Sequence, residues 1–103
     1  MYNIFRVRDM KKTMKNYLDT MTFDAIIDVR EIEEYNQGHL KGAINIPLNT
    51  IQECQLDKQK KIAIYCRSGQ RSQIATNILK QQGFTNITNI GGVIDGSVPL
   101  TNE

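Results

Sequence analysis

Short apolar runs rich in β-branched residues alternate along this chain with stretches of helical periodicity. The runs are typical of buried strands and lie at 24–30, 43–46, 61–66 and 86–90. Helical patterns occupy 10–21, 31–37, 48–56 and 71–82. Because strands that alternate with helices form a parallel sheet with both faces covered, the pattern predicts an α/β fold.

The boundaries and the first helix follow from individual residues. Pro47 ends the second run, and Gly38 and Gly83 end two of the helices. The helix over 10–21 carries a methionine-rich stripe that we expect to face the core. A methionine-rich groove for a partner is the less favoured alternative.

Length, composition and charge restrict the class of protein. A chain of 103 residues is expected to form one domain over 1–103, and 40% hydrophobic with 23% charged residues is an ordinary globular composition. The net charge of +2 gives no reason to expect nucleic acid. The longest apolar run, Ile62–Cys66, is far shorter than the ~20 residues of a membrane span. Charged residues within 1–8 argue against a signal peptide, so we expect a cytoplasmic protein.

The chain has two cysteines, Cys54 and Cys66, and one histidine, His39. Two cysteines are too few for a disulfide framework, and the three residues cannot supply a four-ligand zinc site. We therefore expect no metal and no cofactor, and a functional cysteine would act as a thiol. No exposed apolar stripe stands out, which slightly favours a monomer.

The candidate site is the loop that joins the predicted strand 61–66 to the helix after it. Ligands of parallel α/β folds gather where strands end and helices begin. The loop residues are Cys66, Arg67, Ser68, Gly69, Gln70 and Arg71. Gly69 permits a turn that points backbone N–H groups inward, and the two arginines add positive charge. This environment stabilises a thiolate, so we expect Cys66 to be nucleophilic; the alternative is a cysteine that only packs at the end of a strand.

Two blocks of this sequence resemble the single-domain rhodaneses, the thiosulfate sulfurtransferase family. The blocks are 27–30 with 34–35 and 38–47, and then 64–72. The resemblance implies a five-stranded parallel sheet flanked by helices. It also implies that Cys66 takes a sulfane sulfur from thiosulfate or another persulfide donor, a small anionic sulfur compound, and passes it to cyanide or a thiol. The thiol would belong to a small molecule or a thioredoxin-like protein. The resemblance thus implies that Cys66 is catalytic and that substrate is bound by Arg67, Ser68, Gly69, Gln70 and Arg71.

Two other functions stay open. Cysteine phosphatases and arsenate reductases also use a cysteine in an anion-binding loop that ends in arginine, but their loop is one residue longer than the one from Cys66 to Arg71. The other alternative is a rhodanese-like module that binds a partner without catalysis.

Several polar residues have a simpler interpretation. Asp28 and Arg30 end a predicted buried strand, so we expect a hydrogen-bonded or ion-paired structural role for them. We expect His39 to be structural as well, and Cys54 to pack, with a resolving thiol as the minor alternative. An ion pair with Glu31 or Glu34 is the alternative role for the two loop arginines, and it is weighted more for Arg67 than for Arg71. The segment 91–100 lacks the aromatic residue that the family commonly carries there.

Overall fold

The computed structural model describes residues 22–93 and 99–103. Within them lie four strands, two α-helices and one 3-10 helix. In chain order these are β1 (Ala25–Asp28), α1 (Ile32–Gln37), β2 (Ile44–Asn45), the 3-10 helix (Leu48–Glu53), β3 (Ile62–Cys66), α2 (Gln70–Gln81) and β4 (Ile87–Gly92). The predicted helix over 10–21 lies outside the described residues.

The described strands form one sheet in the order β2-β1-β3-β4, and every pair is parallel. The predicted α/β fold with a parallel sheet is therefore confirmed. The described residues contribute four of the five strands that the resemblance implies. Since all four strands run the same way, the carboxyl ends of β1 and β3 meet at one edge of the sheet, where ligands of such folds bind.

Side chains of β3 alternate between two apolar clusters on opposite faces of the sheet. Ile62, Ile64 and Cys66 belong to the larger cluster, which α2 enters through Ala75 and Leu79. Tyr65 belongs to the smaller one, formed with Leu40, Ala43 and Val93. All five β3 residues are buried, which accounts for the continuous run of apolar residues in this segment. Burial of a leucine such as Leu79 stabilises the fold by ~2 kcal/mol.

Two predicted strands are shorter in the structure. The strand predicted over 24–30 ends at Asp28 in the structure. It ends there because the Asp28 carboxylate accepts the Arg30 backbone N–H at 2.9 Å and turns the chain. The run 43–46 contains only the two residues of β2, and Pro47 follows shortly after as the N-cap of the 3-10 helix. The predicted helix 48–56 is this shorter 3-10 helix.

Candidate active site

Cys66 is the last residue of β3, and its side chain is completely buried. Gly69 adopts φ 99°, a left-handed conformation that favours glycine, and this turns the chain into α2. The turn brings three groups to the sulfur. The Gly69 N–H donates to Cys66 Sγ over 3.0 Å, the Ser72 N–H donates over 3.4 Å, and Ser72 Oγ lies 3.4 Å away.

These contacts make Cys66 more acidic than an ordinary thiol. Burial raises the pKa of the Cys66 thiol, but hydrogen bonds from the Ser72 side chain and from the backbone N–H groups of Ser72, Gly69 and Ser68 outweigh it, so that the net shift is downward. The N-terminus of α2 favours the same negative charge. The loop therefore stabilises a thiolate at a position shielded from water.

Ser72 and Asn89 complete the site, although neither has a role predicted from the sequence. Ser72 is fully buried, and its Oγ lies 3.0 Å from the Gly69 carbonyl and 2.8 Å from Asn89 Oδ1. Asn89 Oδ1 also accepts the Gly91 N–H at 2.9 Å, which joins β4 to the loop. The Cys66 thiol donates to Ser72 Oγ. Once ionised, the sulfur only accepts, and the Ser72 hydroxyl can then donate to it beside the Gly69 and Ser72 N–H groups.

Arg71, which is predicted to bind substrate, has an ion-pair partner in the structure. Its guanidinium donates to both carboxylate oxygens of Glu34 on α1, at 2.7 and 3.0 Å. This hydrogen bonding lowers the pKa of Glu34 to about 2. The sequence favours an ion pair more for Arg67 than for Arg71. The structure shows the ion pair at Arg71. Arg71 fastens the loop to α1, and Glu34 neutralises much of its charge.

The remaining loop side chains point outward. Arg67, Ser68 and Gln70 are exposed, and within the described residues no ion pair or hydrogen bond engages the Arg67 side chain. Arg67 lines a pocket of about 260 Å³ beside the loop. Its carbonyl lies so close to Gly92 that a Cβ there would collide with it. Glycine at the end of β4 is therefore needed for the loop to pack in this position.

Comparison with known proteins decides the family. A family model described as a rhodanese-like domain matches residues 9–97. The chain belongs to the rhodanese-like family. Over 77 residues it is 42% identical to the thiosulfate sulfurtransferase PspE of Escherichia coli, an alignment that covers 71% of this chain and 74% of that protein.

The chain is also similar to a second curated protein and to a solved structure. The chain is 42% identical over 67 residues to the putative sulfur carrier protein YrkF of Bacillus subtilis, covering 63% of this chain but only 36% of that protein. A solved structure described as a rhodanese with anions from E. coli superimposes with a TM-score of 0.69 at 38% identity, covering 77% of this chain and 98% of that one. The rhodanese fold is thus present.

A second polar group of the rhodanese-like domain lies at the carboxyl end of β1. The Asp28 carboxylate pairs with the Arg30 guanidinium and accepts the Tyr65 hydroxyl at 2.7 Å, and Arg30 also donates to the Gly38 carbonyl at 2.7 Å. The structural role predicted for Asp28 and Arg30 is confirmed.

Among the described residues, neither His39 nor Cys54 is a hydrogen-bond partner of the Cys66 sulfur. Both ring nitrogens of His39 contact backbone carbonyls, those of Tyr35 at 2.9 Å and Glu103 at 2.6 Å, and the ring stacks on Tyr35. This agrees with the structural role expected for His39. Cys54 is half-buried against the larger apolar cluster, as expected for a packing residue.

The described residues contain no group of three or more His, Cys, Asp and Glu side chains that could hold a metal ion. No helix among residues 22–93 and 99–103 is long and apolar enough to cross a membrane.

Proposed function

We propose that this rhodanese-like protein is a sulfurtransferase that takes sulfane sulfur from thiosulfate or another persulfide donor onto Cys66. The observation that carries the proposal is the convergence of the Gly69 N–H, the Ser72 N–H and Ser72 Oγ on Cys66 Sγ. A sulfur held by several donors is a stabilised thiolate, and the thiolate is the reactive form of cysteine.

The first half-reaction forms a persulfide. The Cys66 thiolate attacks the outer sulfur of thiosulfate, a new S–S bond forms, and the S–S bond of thiosulfate breaks. Sulfite leaves with the bonding electron pair, and Cys66 keeps the outer sulfur. The loop N–H groups are already oriented toward the sulfur and stabilise the negative charge without rearranging, as preorganised donors do in other covalent mechanisms.

The second half-reaction returns Cys66 to the thiolate. Cyanide or a thiolate attacks the outer sulfur of the persulfide, and the Cys66 sulfur leaves. Because the two substrates react in turn with one residue, we expect ping-pong kinetics. The proposal needs no cofactor. It requires a compartment that keeps Cys66 reduced, and we propose the cytoplasm.

Turnover with two substrates separates this function from its rivals. Wild-type protein is expected to form thiocyanate from thiosulfate and cyanide, and Cys66→Ala is expected to lose this activity. An aryl phosphate assayed in parallel should show no turnover that depends on Cys66. Aryl phosphate hydrolysis without thiocyanate formation would favour a cysteine phosphatase. Absence of both activities with thiosulfate and polysulfide donors would favour a module that only binds a partner.

A further inference from the structure

The pocket beside the Cys66 loop is separate from the group of donors around the sulfur. It has a volume of about 260 Å³ and is lined by Arg30, Glu34, Gln37, Arg67, Val93 and Leu100. At roughly 30 Å³ for each water, it has room for eight or nine waters, which suits a small organic molecule better than a folded protein.

Two walls of the pocket are fixed to the fold. The Val93 N–H donates to the carbonyls of Cys66, at 3.2 Å, and Arg67, at 2.9 Å, so this wall is tied to the catalytic loop. Leu100 is held against α1, because Thr101 forms an antiparallel bridge with His39 through hydrogen bonds of 2.8 and 2.7 Å. Backbone hydrogen bonds therefore hold both walls in place beside the Cys66 loop.

The charges that line the pocket leave one cation without a counter-ion. Arg30 is paired with Asp28, and Glu34 is paired with Arg71. Arg67 has no ion pair within the part of the chain that the structure describes. Two apolar side chains also line the pocket: Leu100, which leaves 42% of its surface exposed, and Val93. The pocket thus offers one positive charge together with apolar surface.

We infer that this pocket binds the sulfur acceptor and that the acceptor is a low-molecular-weight thiol carrying a carboxylate. The carboxylate lies at Arg67, and the hydrocarbon part contacts Val93 and Leu100. This inference rests on the proposed function. Because the donor leaves before the acceptor binds in a ping-pong reaction, the same arginine can serve both anions in turn.

The transfer balances with no further reactant. Written with the outer sulfur of the Cys66 persulfide protonated, the acceptor thiolate attacks that sulfur and forms the new S–S bond. The S–S bond of the Cys66 persulfide breaks, and Cys66 leaves as a thiolate. The products are the Cys66 thiolate and an acceptor persulfide that carries the proton.

The test measures the second half-reaction alone. Protein loaded with sulfur from thiosulfate is mixed with 3-mercaptopropionate or with the neutral 2-mercaptoethanol, and loss of the persulfide is followed by mass. Rates are expressed per thiolate, because the two thiols differ in acidity. We expect wild-type protein to prefer mercaptopropionate about fivefold, as one favourable charge contact of ~1 kcal/mol would give.

Two matched variants locate this preference in the pocket. Gln37→Glu adds a negative charge to the pocket lining, and Asn36→Asp adds the same charge to the neighbouring exposed residue of α1, which does not line the pocket. We expect Gln37→Glu to lower the preference at least threefold and Asn36→Asp to leave it unchanged. Equal preferences in wild type and Gln37→Glu, or no preference in wild type, would overturn the inference.

A second measurement keeps the inference testable if thiosulfate does not load Cys66. Iodoacetate and iodoacetamide alkylate the free thiolate and differ in their charge, and modification at Cys66 is read by peptide mass. We expect Gln37→Glu to lower the iodoacetate to iodoacetamide rate ratio and Asn36→Asp to preserve it. If thiosulfate does not load Cys66 but Gln37→Glu lowers the iodoacetate to iodoacetamide ratio, thiosulfate is rejected as the donor and anion binding in the pocket is supported. If thiosulfate loads Cys66 with sulfur but Gln37→Glu changes neither the thiol preference nor the alkylation ratio, the pocket does not bind the acceptor. The sulfurtransferase proposal would then still hold.

Discussion

Two polar groups lie at the carboxyl edge of the same sheet, one after β1 and one after β3, and they differ in where their hydrogen bonds go. After β1, Asp28, Arg30 and Tyr65 bond to one another and to the Gly38 carbonyl. After β3, the loop N–H groups point at the single sulfur of Cys66, and the Arg67 side chain is exposed.

The difference shows that charge at a strand end does not by itself indicate a reactive site. The first group is buried and its polar atoms satisfy each other, so it stabilises the fold. The second group directs several donors at one sulfur atom. Mutations should therefore affect stability at the first group and chemistry at the second.

The largest expected effect is on chemistry, at Cys66. Cys66→Ser removes the thiolate and keeps the size of the side chain, so we expect thiocyanate formation to fall at least about a thousandfold. Cys54→Ser is the matched control and should retain the wild-type rate, because the residues that hydrogen-bond to the Cys66 sulfur are Gly69 and Ser72 and do not include Cys54. Loss of activity in Cys54→Ser with full activity in Cys66→Ser would reverse the assignment of the nucleophile.

The next largest effect is on stability, at Asp28. Asp28→Asn leaves the buried Arg30 guanidinium without its counter-ion, and breaking a buried ion pair costs ~3–5 kcal/mol. Urea unfolding measures this loss. Glu53→Gln, an exposed carboxylate at the end of the 3-10 helix, should stay within about 0.5 kcal/mol of wild type. An Asp28→Asn protein as stable as wild type would show that the group after β1 is not a structural ion pair.

A smaller effect is expected from Ser72→Ala, which removes one hydrogen-bond donor from the thiolate. The pKa of Cys66 should rise, because the thiolate loses a hydrogen bond that stabilises it. A higher pKa lowers the thiolate fraction at neutral pH, so alkylation by iodoacetamide should slow there and recover at alkaline pH.

The control for Ser72→Ala is Thr76→Val, which removes another buried hydroxyl from α2. The Thr76 hydroxyl donates to the Ser72 carbonyl and makes no hydrogen bond to the sulfur. Its variant should keep the wild-type pH midpoint of alkylation. Equal shifts in both variants would mean that general loosening of α2, and not the Ser72 hydroxyl, sets the acidity of Cys66.

The smallest effect is expected from Glu34→Gln, which breaks the partly exposed ion pair with Arg71. Such pairs contribute ~0.2–1 kcal/mol. The lowered pKa of Glu34 means that this stability is present above its ordinary value of 4.5 and is lost as the pH falls toward about 2. Urea unfolding should therefore distinguish Glu34→Gln from wild type at pH 7 but not near pH 2. A gap that persists at pH 2, or that Glu33→Gln on the same helix reproduces, would contradict this account.

Local features of the sequence predicted the strands, the helix after β3 and the position of Cys66. The run 62–66 is apolar throughout because β3 is buried on both faces, and Gly69 marks the turn because its φ is positive. The end of β1 was missed because it depends on one hydrogen bond from the Arg30 N–H to the Asp28 carboxylate.

Contacts between distant residues were harder to predict: the sequence offered the Arg71–Glu34 ion pair only as an alternative, and it did not indicate the Ser72–Asn89 contact. Glu34 and Arg71 are 37 positions apart, and Ser72 and Asn89 are 17 apart, so only the packed fold brings each pair together. Asn89 has no neighbouring motif that marks it. Ser72 lies within the block 64–72, and its place one turn into α2 is a signal that could have identified it.

The central claim is that Cys66 carries a sulfane sulfur. Intact mass after brief incubation with thiosulfate, without reductant, tests it on wild type, Cys66→Ala and Cys54→Ser. The account predicts a gain of one sulfur atom in wild type and Cys54→Ser and none in Cys66→Ala. No gain in wild type while Cys66 is still alkylated by iodoacetamide, or an equal gain in Cys66→Ala, would contradict it.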